Sequence, residues 1–185
     1  MKKNLKYLVT ISFLLVTCGV FAASGCSQPV KTLDPGVTGP QLIVNPETVR
    51  LGVAKVMETN IVFSGSGFDP GDSVFIKLLD VPVDGKKEDL AIASADVKEG
   101  GTFNAPVGKL TKASDFLRAK IGESKKGKPA PVISRPPMPA GIYTARAISM
   151  LSDKTADCML NVKGPSLFNR LKDWLGVKLG KIVKE

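Results

Sequence analysis

The chain contains no histidine, and this narrows its chemistry more than any residue it does contain. Serine-histidine-aspartate and cysteine-histidine nucleophiles are removed, and so are most zinc sites. No Ser-x-x-Lys occurs, so a serine nucleophile has no lysine base at that spacing. The densest carboxylate group is Asp80, Asp84, Glu88 and Asp89 in "DVPVDGKKED". Calcium takes several oxygen ligands, but this spacing is not that of a calcium loop, and Lys86 and Lys87 stand in its middle. Asp84-Gly85 fits the turn of a solvated hairpin instead. Asp69 and Asp72 around Pro70-Gly71 read as turn residues in the same way. "GSGFDPG" is glycine-rich but leads into another strand pattern, so no helix N-terminus follows it to receive a phosphate. The sequence predicts no catalytic residue, no metal site and no cofactor.

The position with covalent chemistry of its own is Cys26. Lys2, Lys3 and Lys6 precede an apolar run over residues 7–23. That run falls short of the roughly 20 residues a membrane span needs and is interrupted by Thr10, Ser12 and Thr17. Charged start, apolar middle and small residues Ala22 to Gly25 make a secretory signal. Ala23-Ser24-Gly25-Cys26 resembles the lipobox of bacterial lipoproteins, although the first of these positions is more often Leu or Val in that family. The resemblance implies cleavage after Gly25, a diacylated Cys26 and membrane lipid as a partner. Two acyl chains anchor stably where one is marginal. Cys18 follows the bulkier Thr17 and is no competitor. The resemblance places the chain in the cell envelope, facing the periplasm or the exterior. In a Gram-negative host, Ser27 after the cysteine implies the outer membrane. The alternative is ordinary cleavage near Ala22 with Cys26 incidental.

Removing residues 1–25 leaves enough chain for one domain with a proper core. Only Cys26 and Cys158 then remain; with Cys26 acylated, Cys158 has no partner and reads as a small buried hydrophobe. The formal charge of +9 is unevenly placed. Arg118, Lys120, Lys125, Lys126, Lys128 and Arg135 crowd one stretch against Glu123 alone. Arg170, Lys172, Lys178, Lys181 and Lys184 crowd the C-terminal tail against Asp173 and Glu185. A nucleic-acid binder spreads its basic surface over a folded face, so nucleic acid is not an expected partner. Anionic lipid or an acidic envelope polymer suits such segments better.

Residues 26–40, rich in Pro, Gly and small polar residues, read as a flexible tether. From residue 41 the chain becomes a series of short alternating runs. "QLIVNPETVRLGV" predicts an edge strand broken at Pro46. Further strands align Ile61 with Phe63; Val74, Ile76 and Leu78; Ala91, Ala93, Ala95 and Val97; Phe103, Ala105 and Val107; Tyr143, Ala145 and Ala147; and Ala156, Cys158, Leu160 and Val162. About seven strands with turn signals between them predict a mainly β fold, a single antiparallel β-sandwich over residues 41–164. "FSGSGFDPGDSVFIKL" resembles the glycine-rich loop between early strands of bacterial Ig-like domains of the IPT/TIG type. "PAGIYTARA" resembles their penultimate strand, which implies that Tyr143 is the corner tyrosine and Ala145 replaces the usual Cys.

One inserted helix is expected over "KASDFLRAKI", with Phe116, Leu117 and Ile121 at helical spacing and Ser114 as N-cap. The following residues, 122–138, read as a long, basic, extended loop with Lys125, Lys126, Lys128 and Arg135 as contact candidates. Residues 165–185 predict an amphipathic helix capped by Ser166. Leu167, Phe168, Leu171, Trp174, Leu175, Leu179 and Ile182 form one stripe, with Asn169, Arg170, Asp173, Lys181 and Lys184 facing away, Val177 on the polar side and Lys178 intruding on the apolar one. A basic helix with Trp and Phe on its apolar face suits a membrane interface, with Lys178 and Lys181 near anionic lipid. The alternative is that the stripe packs on the sandwich or in a partner groove.

The function this predicts is non-catalytic: a membrane-anchored binding or structural module with an unidentified envelope protein or polymer as partner. An accessory that binds a carbohydrate or cell-wall polymer is the alternative, with a lone Trp and two Tyr offering little stacking surface. An unrecognised enzyme is the weaker one.

Overall fold

The computed structural model describes residues 30–124, 127, 129–133 and 135–184. The signal segment, Cys26, Lys125, Lys126 and Lys128 lie outside the described residues.

Two sheets face each other across the core. The first has the order β1-β3-β6, from Gln41–Asn45 (β1), Val62–Ser66 (β3) and Phe103–Pro106 (β6), all antiparallel. The second has the order β2-β10-β9-β4-β5, from Thr48–Arg50 (β2), Ser73–Val83 (β4), Lys86–Asp96 (β5), Gly141–Ser149 (β9) and Thr155–Lys163 (β10). Pro46 breaks the first predicted strand as expected. The chain changes sheets there through a cis Asn45-Pro46 bond, and β2 then pairs in parallel with β10. This strand order is that of an Ig-like sandwich, with its first strand split between the sheets.

The alternation that predicted the strands also predicts the core. Ile61, Phe63, Val74, Ile76, Leu78, Phe103, Ala105, Ala145 and Leu160 are all fully or nearly fully buried. The Phe68 and Phe103 rings meet edge to face at 5.2 Å. Tyr143 is a corner tyrosine, its hydroxyl donating to the Pro139 carbonyl at 2.7 Å. Gly67, in the glycine-rich loop, has φ +81°, and a Cβ there would lie 2.1 Å from the Gly39 carbonyl oxygen. Only glycine fits both constraints. Asp84 and Gly85, at φ 49° and 84°, form the predicted two-residue hairpin turn between β4 and β5.

One strand departs from its expected parity. Ala91, Ala93, Ala95 and Val97 were expected on one face, yet Ile92 is buried and Ala91 exposed. The register jumps between Ile76 and Lys77, whose partners are Ala93 and Ala91, so Ile92 is the extra residue of a bulge and turns inward.

The inserted helix is shorter than predicted. A turn over Lys109–Thr111 runs into a wider π-type turn over Lys112–Phe116 (together α2), which ends where Arg118 takes φ 50°. Phe116 and Leu117 are buried as expected, but Ile121 is half exposed in a strand. Ser114 sits inside the turn rather than capping it. Buried Lys112 donates from Nζ to the Thr59 carbonyl at 2.6 Å, at the end of a short helix over Val53–Glu58 (α1) that the sequence reading omitted. Desolvation, with a smaller contribution from Lys109, holds its pKa below the usual lysine value.

The basic segment is not a long extended loop. Ala119–Glu123 (β7) and Pro129–Ile133 (β8) pair as an antiparallel hairpin. Val183–Lys184 (β11) returns from the C-terminus to pair in parallel with Val132 and Ile133, completing a third sheet of order β11-β8-β7. Prolines 129 and 131 made this stretch read as loop. They precede the residues β11 contacts, where β8 has only β7 beside it, and at such an edge a missing N–H is tolerated.

Residues 30–40, expected as part of a flexible tether, are partly fastened to the sandwich. Lys31 and Asn45 exchange two hydrogen bonds at 2.9 Å, and Lys31 pairs with Glu47. The Gln41 amide donates to the Asp34 and Val37 carbonyls.

Candidate functional site

The C-terminal helix, Leu167–Lys178 (α3), starts as its sequence dictates: the Asn169 N–H donates to Ser166 Oγ at 3.2 Å. It stops earlier than expected. Gly180, at φ 66°, takes the left-handed conformation that ends a helix, and the Lys181 and Ile182 N–H groups both return to the Gly176 carbonyl. The chain then folds back, buries Ile182 in the core and becomes β11. Ile182 therefore leaves the apolar stripe to which the sequence pattern assigned it. A Cβ on Gly176 would sit 2.7 Å from Ile182 Cδ1, so Gly176 and Gly180 together make the return possible.

The decisive geometry is which side of α3 faces the sandwich. Asn169, Asp173 and Gly176 are its less exposed positions, spaced by four and three. The Val53 and Ala54 N–H groups donate to Asp173 Oδ2 and Oδ1 at 3.1 and 3.4 Å, so this carboxylate caps α1. Gly52 leaves room for Asn169, whose Cβ would be 3.0 Å from a Cβ placed there. The helix thus docks through a polar and small-residue stripe. Leu167, Phe168, Leu171, Trp174, Leu175 and Leu179 point the other way and are 44% to 84% exposed. Lys178 Nζ stands 4.3 Å from the Trp174 ring centre and Lys172 Nζ 5.1 Å from that of Phe168, so two of the flanking cations lie on the aromatic rings. Lys181 is exposed beyond the helix end. Among the described residues none of these six side chains is buried against the sandwich, which was the alternative weighed from the sequence. Among the described residues no helix is long and apolar enough to cross a membrane.

Beside α3 lies a groove of about 620 Å³ between the helix, the end of β2 and the segment after β8. Leu51, Val53, Ile133, Pro136, Val177 and Ile182 line it, with Arg135 and Arg170 also contributing. Val177, the residue that broke the helical pattern, faces this groove. Arg135 pairs with Asp84 at 3.1 Å, both side chains being largely exposed.

No protein-family model and no curated protein matches the chain. Among solved structures it is similar to the PKD domain from human VPS10 domain-containing receptor SorCS2. That likeness has 20% identity and a TM-score of 0.27, covering 78% of this chain and 95% of that one. A score this low carries no argument, and the Ig-like assignment rests on the strand order and the Tyr143 corner.

The remaining polar clusters hold the fold. Buried Asp72 accepts from Ser149 Oγ, from the Ser73 N–H at 2.6 Å and from the Leu151 N–H at 3.2 Å, fastening the turn after β9 to the start of β4. The Ser149 hydrogen bond, with the backbone donors, holds the Asp72 carboxyl below the usual range despite its burial. Arg146 and Asp157 form a two-pronged pair at 2.7 and 2.8 Å across β9 and β10. The Asp80–Asp89 group is spread along its hairpin: Lys87 lies 3.9 Å from Asp80, and the Asp80 N–H donates to Asp89. Cys158 is half-buried, and desolvation pushes its thiol up to about 12.

What the sequence reading missed is the docking face of α3 and the β7–β8 hairpin that β11 joins. The early stop of the helix did have a signal: Gly180 before Ile182-Val183 fits a helix stop followed by a strand, not a continuing helix.

Proposed function

We propose that this protein is an envelope lipoprotein whose Ig-like sandwich, of IPT/TIG type, is a non-catalytic binding or structural module held against a membrane at two points. One is the acylated Cys26 and the other is the outward face of α3. The observation that carries this reading is the orientation of α3. A surface helix ordinarily buries its apolar stripe against the core, and an exposed contiguous patch of this kind marks an interaction surface. Here the stripe contains Trp and Phe and is flanked by Lys172, Lys178 and Lys181, the composition of helices that lie in a headgroup layer.

The described start of the tether and α3 share one end of the sandwich. Lys31 is fastened beside Asn45 and Glu47, and the Glu47 carbonyl accepts from the Asn161 N–H, near the end of the strand that leads into α3. At most about 14 Å of extended chain separates Cys26 from Val30. A bilayer reached by the acyl chains is therefore within reach of α3, and tethering lowers the affinity that the helix must supply.

The test is vesicle flotation of a chain starting at Ser27, which keeps every described element but carries no lipid. Phe168→Ser, Leu171→Ser and Trp174→Ser together change only exposed side chains. Flotation on anionic vesicles that this triple substitution abolishes, at unchanged thermal stability, supports the reading; a chain that never floats refutes the contribution of α3. Truncation at residue 164 is a poorer test, because it also removes Ile182 and β11 from the fold.

A further inference from the structure

The groove beside α3 is a second feature of the same face, and its lining suits a particular ligand. Its volume of about 620 Å³ falls in the range of small-molecule sites. Its lining is mostly aliphatic and proline, which suits a hydrocarbon chain and offers little to a sugar. Its charged neighbours are unequal. Asp173 is engaged by the Val53 and Ala54 N–H groups. Arg170 is exposed and joins no ion pair among the described residues, and the Arg135–Asp84 pair is solvent-exposed and readily exchanged. Two guanidinium groups beside an apolar trough complement a phosphate joined to a chain. Trp174 belongs both to the groove lining and to the exposed stripe, so the groove opens onto the proposed membrane face.

We propose that this groove takes one acyl chain of an anionic phospholipid drawn from the membrane, with the phosphate held between Arg170 and Arg135. The proposal rests on the membrane reading of α3 and adds lipid selectivity to it. Trp174 is the only tryptophan in the chain and reports on the site directly.

The full acylated chain is reconstituted into phosphatidylcholine vesicles that carry a minor fraction of brominated phosphatidylglycerol or, separately, of brominated phosphatidylcholine. Brominated chains quench a nearby indole. The expected result is saturable quenching of Trp174 by the anionic lipid at about fivefold lower mole fraction for each arginine engaged. Arg170→Glu should remove the saturable part of the preference, leaving only the diffuse attraction of Lys172, Lys178 and Lys181. So should Val177→Phe, which fills the groove without changing charge and so separates groove binding from general attraction to a basic surface. A melting curve checks that the Val177→Phe chain remains folded. Equal quenching by both lipids, or a saturable preference that survives both substitutions undiminished, overturns the proposal. Vesicles made wholly of brominated phosphatidylcholine test the underlying reading. If they quench Trp174 without any anionic preference, only the groove proposal falls; if they fail to quench it, the membrane reading falls too.

Discussion

Phe63 and Leu171 are both large apolar residues on regular elements, yet one is fully buried and the other 52% exposed. Phe63 lies in β3, where alternation sends every second residue into the space between two sheets. Leu171 lies in α3, where an equally regular stripe is turned away from the protein. The difference lies in what does the docking. The sheets adhere through apolar area, whereas α3 is held by a carboxylate that caps another helix, by small residues that allow close approach and by the return of Ile182. A regular apolar pattern thus states that a face will be covered without saying by what. In the sandwich the cover is the opposite sheet; on α3 nothing among the described residues supplies one.

The largest test of this contrast is a pair of truncations. Phe63→Ala should cost about 3–5 kcal/mol, the usual range for removing a buried aromatic ring. Leu171→Ala should stay within about 0.5 kcal/mol, as substitutions at exposed positions do. Urea unfolding of both variants measures this. A Leu171→Ala loss as large as that of Phe63→Ala would mean that the stripe is packed in solution and would remove the basis of the membrane reading.

A smaller effect is expected from the cations that flank the stripe. Changing Lys172, Lys178 and Lys181 to Gln should leave folding stability nearly unchanged. It should weaken binding to anionic vesicles by about 1 kcal/mol for each lysine near the surface. Added salt should shrink the difference between the two chains. Equal binding of both chains at low salt would assign the attraction to the apolar stripe alone.

The sandwich was legible in the sequence because its signals are local and repeat: period-two burial, Pro46 at a sheet change, Asp84-Gly85 at a hairpin turn and Tyr143 at a corner. The bulge at Ile92 was not, since a single extra residue has no composition of its own. The third sheet was hidden because β8 carries two prolines and its partner β11 is only two residues long, arriving from the far end of the chain. For the candidate site, the sequence located the stripe and its lysines but left its direction open. Direction depends on Asp173 meeting the N-terminus of α1, a contact across 120 residues that helical periodicity does not encode.

That contact sharpens the comparison at smaller cost. Asp173→Ala removes the acceptor for the Val53 and Ala54 N–H groups and should cost about 1 kcal/mol, the usual value of a helix cap. The loss should be regional: faster hydrogen exchange in α1 and α3, with little change in β4, β9 and β10. Uniform acceleration across both sheets would mean that α3 belongs to the cooperative core, and the contrast drawn here would fail.

The effect expected to be smallest at neutral pH belongs to Cys158, which tests the other side of the comparison. Its partial burial against the core pushes its thiol up to about 12 from an ordinary 9.0. The folded state therefore holds this proton more tightly than the unfolded chain does. Its contribution to stability is fully present below pH 9 and is lost as pH rises towards 12. Near pH 8 the folded thiolate should be on the order of a thousandfold scarcer than in the unfolded chain, so alkylation should be slow until denaturant is added. Rapid alkylation of the native protein would show that β10 opens readily near Cys158, and that the sandwich is less firmly closed there than its core packing implies.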